Sequence, residues 1–86
     1  MTLIKQLYKM SECRELSKLD IRFYIYLQVN CKKHGFIPPF YGVAKELQVL
    51  SQSLRNSYER LIKHELIREI RREKIYNGWG IYFEFT

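Results

Sequence analysis

Eighty-six residues, 47% of them apolar, provide for one small core, expected to bury roughly 60 to 65% of the surface that the unfolded chain exposes. Lysine and arginine number 15 against 9 acids, a formal charge of +6 that makes a polyanion the natural partner. No run approaches the roughly 20 apolar residues of a membrane span, no secretory signal opens the chain, and two cysteines make no disulfide framework. Membrane and disulfide-rich secreted classes are excluded on these grounds, and a cytoplasmic location is expected.

Residues 3–10 fit two periods. Leu3, Ile4, Leu7 and Tyr8 lie on a helical stripe, while Ile4, Tyr8 and Met10 also fall on one side of a strand. Residues 1–16 are read as an N-terminal extension of a single domain over 1–86, packing on the next helix or on a partner. Ser17 with Asp20 resembles a capping box with Asp in place of Glu, and Gly35 stands at a helix C-cap position, which predicts a helix over 18–34. Its main stripe carries Leu19, Phe23, Tyr26 and Leu27. Ile21, Ile25 and Val29 fall near the opposite side, where a solvent-facing helix does not carry three branched aliphatics. Either the N-terminal extension folds back over them through Leu3, Leu7 or Tyr8, or they form the interface of a homodimer.

Cys31-Lys32-Lys33-His34 has a C-x-x-H spacing that Cys13 or His64 could extend. Structural zinc usually takes four ligands in two tight pairs and this chain offers one pair, so no metal and no other cofactor is expected. Cys31 reads as a small core residue, and His34 as a cap whose charge suits a helix C-terminus.

Phe36-Ile37-Pro38-Pro39 is an extended connection, because a residue before proline is pushed out of the helical region. Pro39 opens a second helix over 40–47 with Val43, Ala44 and Leu47 inward, the small Ala44 letting two helix axes approach closely. Ser51 is read as the N-cap of a third helix over 52–64, with Leu54, Tyr58, Leu61 and Ile62 as its buried stripe. Gln52, Ser53, Arg55, Asn56, Glu59, Arg60 and Lys63 are left outward. Past Leu66-Ile67 the period becomes two: strands over 68–74 and 80–85, the second with Ile81, Phe83 and Phe85 on one face. The turn between them falls near Tyr76-Asn77-Gly78, Asn-Gly being a strong hairpin signal. The fold class is α+β, three helices followed by a two-stranded hairpin. Most aromatic residues, Tyr58 and Phe83 among them, sit at core spacing.

The segment 44–67, A-K-E-L-Q-V-L-S-Q-S-L-R-N-S-Y-E-R-L-I-K-H-E-L-I, resembles the winged helix-turn-helix superfamily without a gap. More loosely, the chain from Leu3-Ile4-Lys5-Gln6-Leu7-Tyr8 onward is similar to the DNA-binding domain of phage and plasmid replication initiators and regulators. Two positions depart from the pattern: Gln48 and Glu65 stand where the superfamily often has glycine. Both sites tend to want a left-handed backbone, at a cost of roughly 1 kcal/mol for other residues. The resemblance implies a small winged helix-turn-helix whose third helix enters the major groove of double-stranded DNA. An initiator needs further domains, so a transcriptional regulator or replication accessory factor is the expectation.

On that reading Gln52, Ser53, Arg55 and Asn56 are the candidates for base reading, since Arg can donate twice to guanine and Asn or Gln can pair with adenine. Tyr41, Lys45, Ser51, Arg60 and Lys63 are candidates for the DNA backbone, together with Arg71, Arg72, Lys74 and Asn77 of the hairpin wing. Trp79 either packs under the hairpin or stays exposed for a contact. A protein-interaction module binding an acidic partner is the alternative, although its recognition helix should show more exposed apolar anchors. No enzymatic activity is expected: the two histidines have no obvious nucleophile or carboxylate partner in the local sequence, and there is no Gly-rich phosphate loop.

Overall fold

In the computed structural model, which describes residues 3–86, four helices lead into a hairpin that forms part of a three-stranded antiparallel sheet. The order is α1 (Leu3–Glu12), α2 (Lys18–Tyr26), a π-helical turn (Leu27–Cys31), β1 (Phe36–Ile37), α3 (Phe40–Leu47), α4 (Ser51–Lys63), β2 (Ile67–Ile75) and β3 (Gly78–Phe85). This is a small α+β domain with a topology consistent with a winged helix. No helix among the described residues is long and apolar enough to cross a membrane.

The helical reading of the N-terminal segment is the one adopted. Leu7 and Met10, three residues apart, turn to the core, and Ile4 and Tyr8 turn to solvent. Residues 1 and 2 of the N-terminal extension lie outside the described ones. The extension does not fold back over Ile25 and Val29, which are 37% and 72% exposed. It does pack on α2, by another side, and with Met10 in the core it bounds a cleft with His64 and Leu66 at the end of α4 and the start of β2.

At the start of α2 the capping box closes in both directions: Asp20 N donates to Ser17 Oγ (3.2 Å) and Ser17 N donates to Asp20 Oδ2 (2.8 Å). The predicted continuous helix gives way to the π-helical turn from Leu27, and Gly35, at φ +60°, donates to the Cys31 carbonyl (2.8 Å). The extended segment before the prolines does more than connect. Phe36 pairs with Tyr82 and Ile37 with Ile81, making β1 the third strand, in the order β1-β3-β2. Prolines 38 and 39, which have no N–H to donate, end it there.

Gln48 and Glu65 both adopt the left-handed backbone, at φ 59° and 57°. Each closes its helix with the same pair of bonds. Val49 N reaches the Ala44 carbonyl (3.0 Å) and Gln48 N the Lys45 carbonyl (3.2 Å); Leu66 N reaches the Leu61 carbonyl (3.0 Å) and Glu65 N the Ile62 carbonyl (3.0 Å). These are Schellman closures, so the turns keep a left-handed form with side chains in the places of glycine. Leu50 then takes the extended conformation of the α4 N-cap. Ser51, expected at that cap, is the first helical residue.

The hairpin turns at Tyr76-Asn77, with Ile75 paired to Gly78. Both turn residues keep negative φ, and Gly78, at φ +138°, closes the loop, so Asn-Gly lies one residue later than a two-residue Asn-Gly turn would place it. A bulge at Ile70 shifts the register: Glu69 pairs with Phe83, then Arg71 with Tyr82, Arg72 with Ile81 and Lys74 with Trp79. Because Ile81 and Phe83 are buried, the bulge puts Glu69, Arg72 and Lys74 on the core side and Arg71 and Glu73 on the other. The core joins Phe23 and Leu27 from the α2 side to Val43, Leu54, Leu61, Ile67 and the inner face of β3.

Candidate nucleic-acid interface

Burial of Leu54, Ser57, Tyr58 and Leu61 fixes how α4 is turned and divides its other residues among three sides. Gln52 and Asn56 form an exposed ridge, one turn apart, with Gln52 Nε2 donating to Asn56 Oδ1 (3.1 Å). Ser51, Arg55 and Glu59 line a groove of about 560 Å³, walled on its other sides by Tyr41 and by Arg72, Asn77 and Trp79 of the hairpin. Ser53 is half-buried on the side that carries Ser57 and Arg60. Of the four expected base-reading residues, Gln52, Arg55 and Asn56 are therefore presented outward and Ser53 is set back.

Arg60 is engaged inside the fold. Its Nε and one terminal nitrogen donate to the two carboxylate oxygens of Asp20 at 2.7 and 2.9 Å, and Asp20 has no exposure at all. Burial pushes the Asp20 carboxyl up. Against it, bonds from Arg60, Ser57 and the Ser17 backbone, together with the Arg60 charge, hold the group below its ordinary value. The Ser57 hydroxyl contributes by proximity, without full hydrogen-bond geometry to a partner. This pair ties the first turn of α2 to the last turns of α4.

The other side of α4 is tied to the hairpin through Glu69. Tyr58 Oη donates to Glu69 Oε1 (2.6 Å), and Arg72 Nε donates to the same oxygen (2.9 Å). Burial, then the bond and charge of Glu69, push the Tyr58 phenol well above its usual range, so it remains a donor. Glu69 occupies an inward position of β2, two residues after Ile67 and opposite Phe83, and a charged residue at an apolar position of the alternation is the signal by which the sequence could have shown it. The Asp20–Arg60 pair has no such signal, since its members are 40 residues apart.

The expected backbone-contacting cations fall into two groups. Among the described residues Lys45 and Arg55 have no hydrogen bond or ion pair, and Lys74 has only the Trp79 ring, its Nζ 5.5 Å from the centroid. Lys63 Nζ lies 3.9 Å from Glu15, both side chains largely exposed, and adds little to the fold. Arg71 is on the far side of the sheet, 4.0 Å over the Tyr82 ring and 3.8 Å from Glu73. Arg71, Arg72 and Lys74, close together in sequence, therefore do not act on one surface. Tyr41 and Asn77 are exposed at the groove, and Trp79 is 54% exposed there rather than packed under the hairpin.

Of the three aliphatics set off the main stripe, Ile21 packs against the core, while Ile25 on α2 and Val29 in the π-helical turn border an apolar surface hollow with Leu47. Among the described residues no three His, Cys, Asp or Glu side chains gather as a metal-binding group. His64 does have a carboxylate nearby in space, Glu15 Oε2 at 2.9 Å from Nε2, without the alignment of a full hydrogen bond. Burial, helped by the Glu46 charge, pushes the Cys31 thiol up to about 11, which keeps it protonated and unreactive. Comparison with protein-family models, curated proteins and solved structures gave no match.

Proposed function

We propose that this chain binds double-stranded DNA sequence-specifically as a winged helix-turn-helix protein, serving as a small transcriptional regulator or replication accessory factor of a phage or plasmid. The observation that carries the reading is the join of two surfaces. The exposed amides and guanidinium of Gln52, Arg55 and Asn56 on α4 stand next to a hairpin that turns Arg72 and Lys74 to the same side. In this reading the α4 ridge enters the major groove and discriminates bases, at about 1–3 kcal/mol for each good bidentate pair. Lys45, Lys74, Tyr41, Ser51 and Asn77 hold the phosphates, with Lys63 farther along. Arg60 positions α4 against α2, and Arg71 braces the sheet.

A homodimer through Ile25 and Val29 completes the proposal, since two half-sites about 34 Å apart multiply the few contacts one domain makes. Duplexes enriched by selection from a random pool, titrated by fluorescence anisotropy beside random duplex, test it. About a thousandfold preference for the enriched duplex supports specific reading, and two-fold symmetry in the enriched site supports the dimer. Weak binding that ignores sequence would move the reading to a protein-interaction module with an acidic partner.

A further inference from the structure

The groove between α4 and the hairpin combines residues of the proposed duplex surface, Tyr41, Ser51, Arg55 and Asn77, with an apolar wall of Phe40, Tyr58 and Ile81 that a duplex phosphate does not use. Its volume, about 560 Å³, lies within the roughly 300–1,000 Å³ of pockets that enclose small ligands. A nucleotide fits this scale and a double helix does not. Buried Tyr58 and Ile81 contribute apolar lining, while Arg55 supplies a positive charge unpaired among the described residues, Arg72 shares its charge with Glu69, and Glu59 and Asn77 supply polar groups of the kind that meet base edges.

The groove's mouth carries aromatic rings held out of the core. Trp79 and Tyr41, 54% and 74% exposed, both line it, and Tyr76 is fully exposed at the hairpin turn beside Asn77. Leaving a tryptophan half in water forgoes much of the burial that makes the residue worthwhile in a fold. The wing tip is nevertheless firmly placed: a Cβ on Gly78 would stand 3.2 Å from Pro39 Cβ, so the turn lies directly on the start of α3. Exposed rings on a fixed support beside cations are the elements by which proteins hold unpaired bases, with stacking of the base and attraction of its phosphate.

We propose that this groove takes one unpaired base, stacked on Trp79 with its phosphate drawn to Lys74, whose Nζ stands 5.5 Å from the centre of that ring. The preferred DNA is then a duplex that continues into a single-stranded tail. The inference rests on the DNA-binding reading above and sharpens its substrate. Trp79 is the chain's one tryptophan, so its fluorescence reports the event in the wild-type protein.

The test uses one duplex in three forms: blunt, with a three-nucleotide tail on either strand, and with the same tail made abasic so that phosphates are kept and bases removed. The tailed duplex should bind about fivefold or more tighter than the blunt one and quench the tryptophan emission. The abasic tail should do neither. Trp79→Ala should bring the tailed-to-blunt ratio close to one, and Trp79→Phe, which keeps a ring, should restore much of it. Equal gains from normal and abasic tails, or a Trp79→Ala ratio like that of the wild type, would overturn the inference while leaving duplex recognition intact. Failure to bind any of the three forms would overturn the DNA-binding reading itself.

Discussion

The two flanks of α4 use their arginines in opposite ways. On the α2 side Arg60 gives two bonds to a fully buried carboxylate, whereas on the hairpin side Arg55 faces an open groove with no partner among the described residues. A formal charge of +6 treats these cations alike. The structure separates those that close the fold from those with no carboxylate partner among the described residues, and by that division Lys45, Arg55 and Lys74 carry more of the proposed binding than Arg60, Arg71 or Arg72.

The largest effect should come from breaking the closed side. Arg60→Ala strands a buried charge, and such losses cost about 3–5 kcal/mol, while Arg55→Ala should change stability by no more than about 0.5 kcal/mol. Urea denaturation of both variants checks the contrast; similar losses would erase it. Arg55→Ala should instead relax base preference at one or two positions of the enriched site.

Acid should open the same side. Because the Asp20 carboxyl is held below its ordinary value in the folded state, its contribution is complete above the unfolded carboxylate value near 3.8. It is lost as pH falls through the lower folded value. Thermal melts across about pH 2–5 should show a steeper acid loss for the wild type than for Asp20→Asn. Parallel curves would mean that another carboxylate governs.

A smaller effect is expected on the hairpin side. Glu69→Gln weakens the acceptor shared by Tyr58 and Arg72 and should cost about 1–2 kcal/mol, with faster amide exchange in β2 than in α2. Uniform exchange would show that Glu69 does not tie the hairpin to α4. Smallest, and opposite in sign, Gln48→Gly and Glu65→Gly should each stabilise by about 0.5–1 kcal/mol, the relief of a left-handed backbone less the greater freedom glycine gives the unfolded chain. Destabilisation in equilibrium unfolding would contradict the strain assigned to these turns.

Much of this division follows from periodicity. The inward faces of α3, α4 and β3 are legible because burial at periods of 3.6 and 2 leaves little choice, and the capping box of α2 is local chemistry read from Ser17 and Asp20. The left-handed turns at Gln48 and Glu65 are expected only through the resemblance to the winged helix-turn-helix pattern, since neither residue type marks them. Three features are not. The π-helical turn lies in Leu27–Cys31, which has no glycine or proline to mark it. The bulge at Ile70 inserts one residue and thereby sends Arg71 to the opposite side from Arg72 and Lys74, a switch that alternation alone cannot reveal. Arg60 looks like a surface cation because its partner lies 40 residues away. In the candidate site, Arg55 and the Gln52–Asn56 ridge are readable from helix spacing, while the removal of Arg60 and Arg71 from it required the tertiary packing.

The central claim, that the unpaired cations on the α4 and hairpin side meet DNA phosphates, is tested most directly by the salt dependence of binding to the enriched duplex. Replacing Lys45 and Lys74 together by alanine should lower the slope of log K against log salt by about 2, close to 0.9 for each lost phosphate contact, with the melting temperature nearly unchanged. A slope equal to that of the wild type would contradict the account.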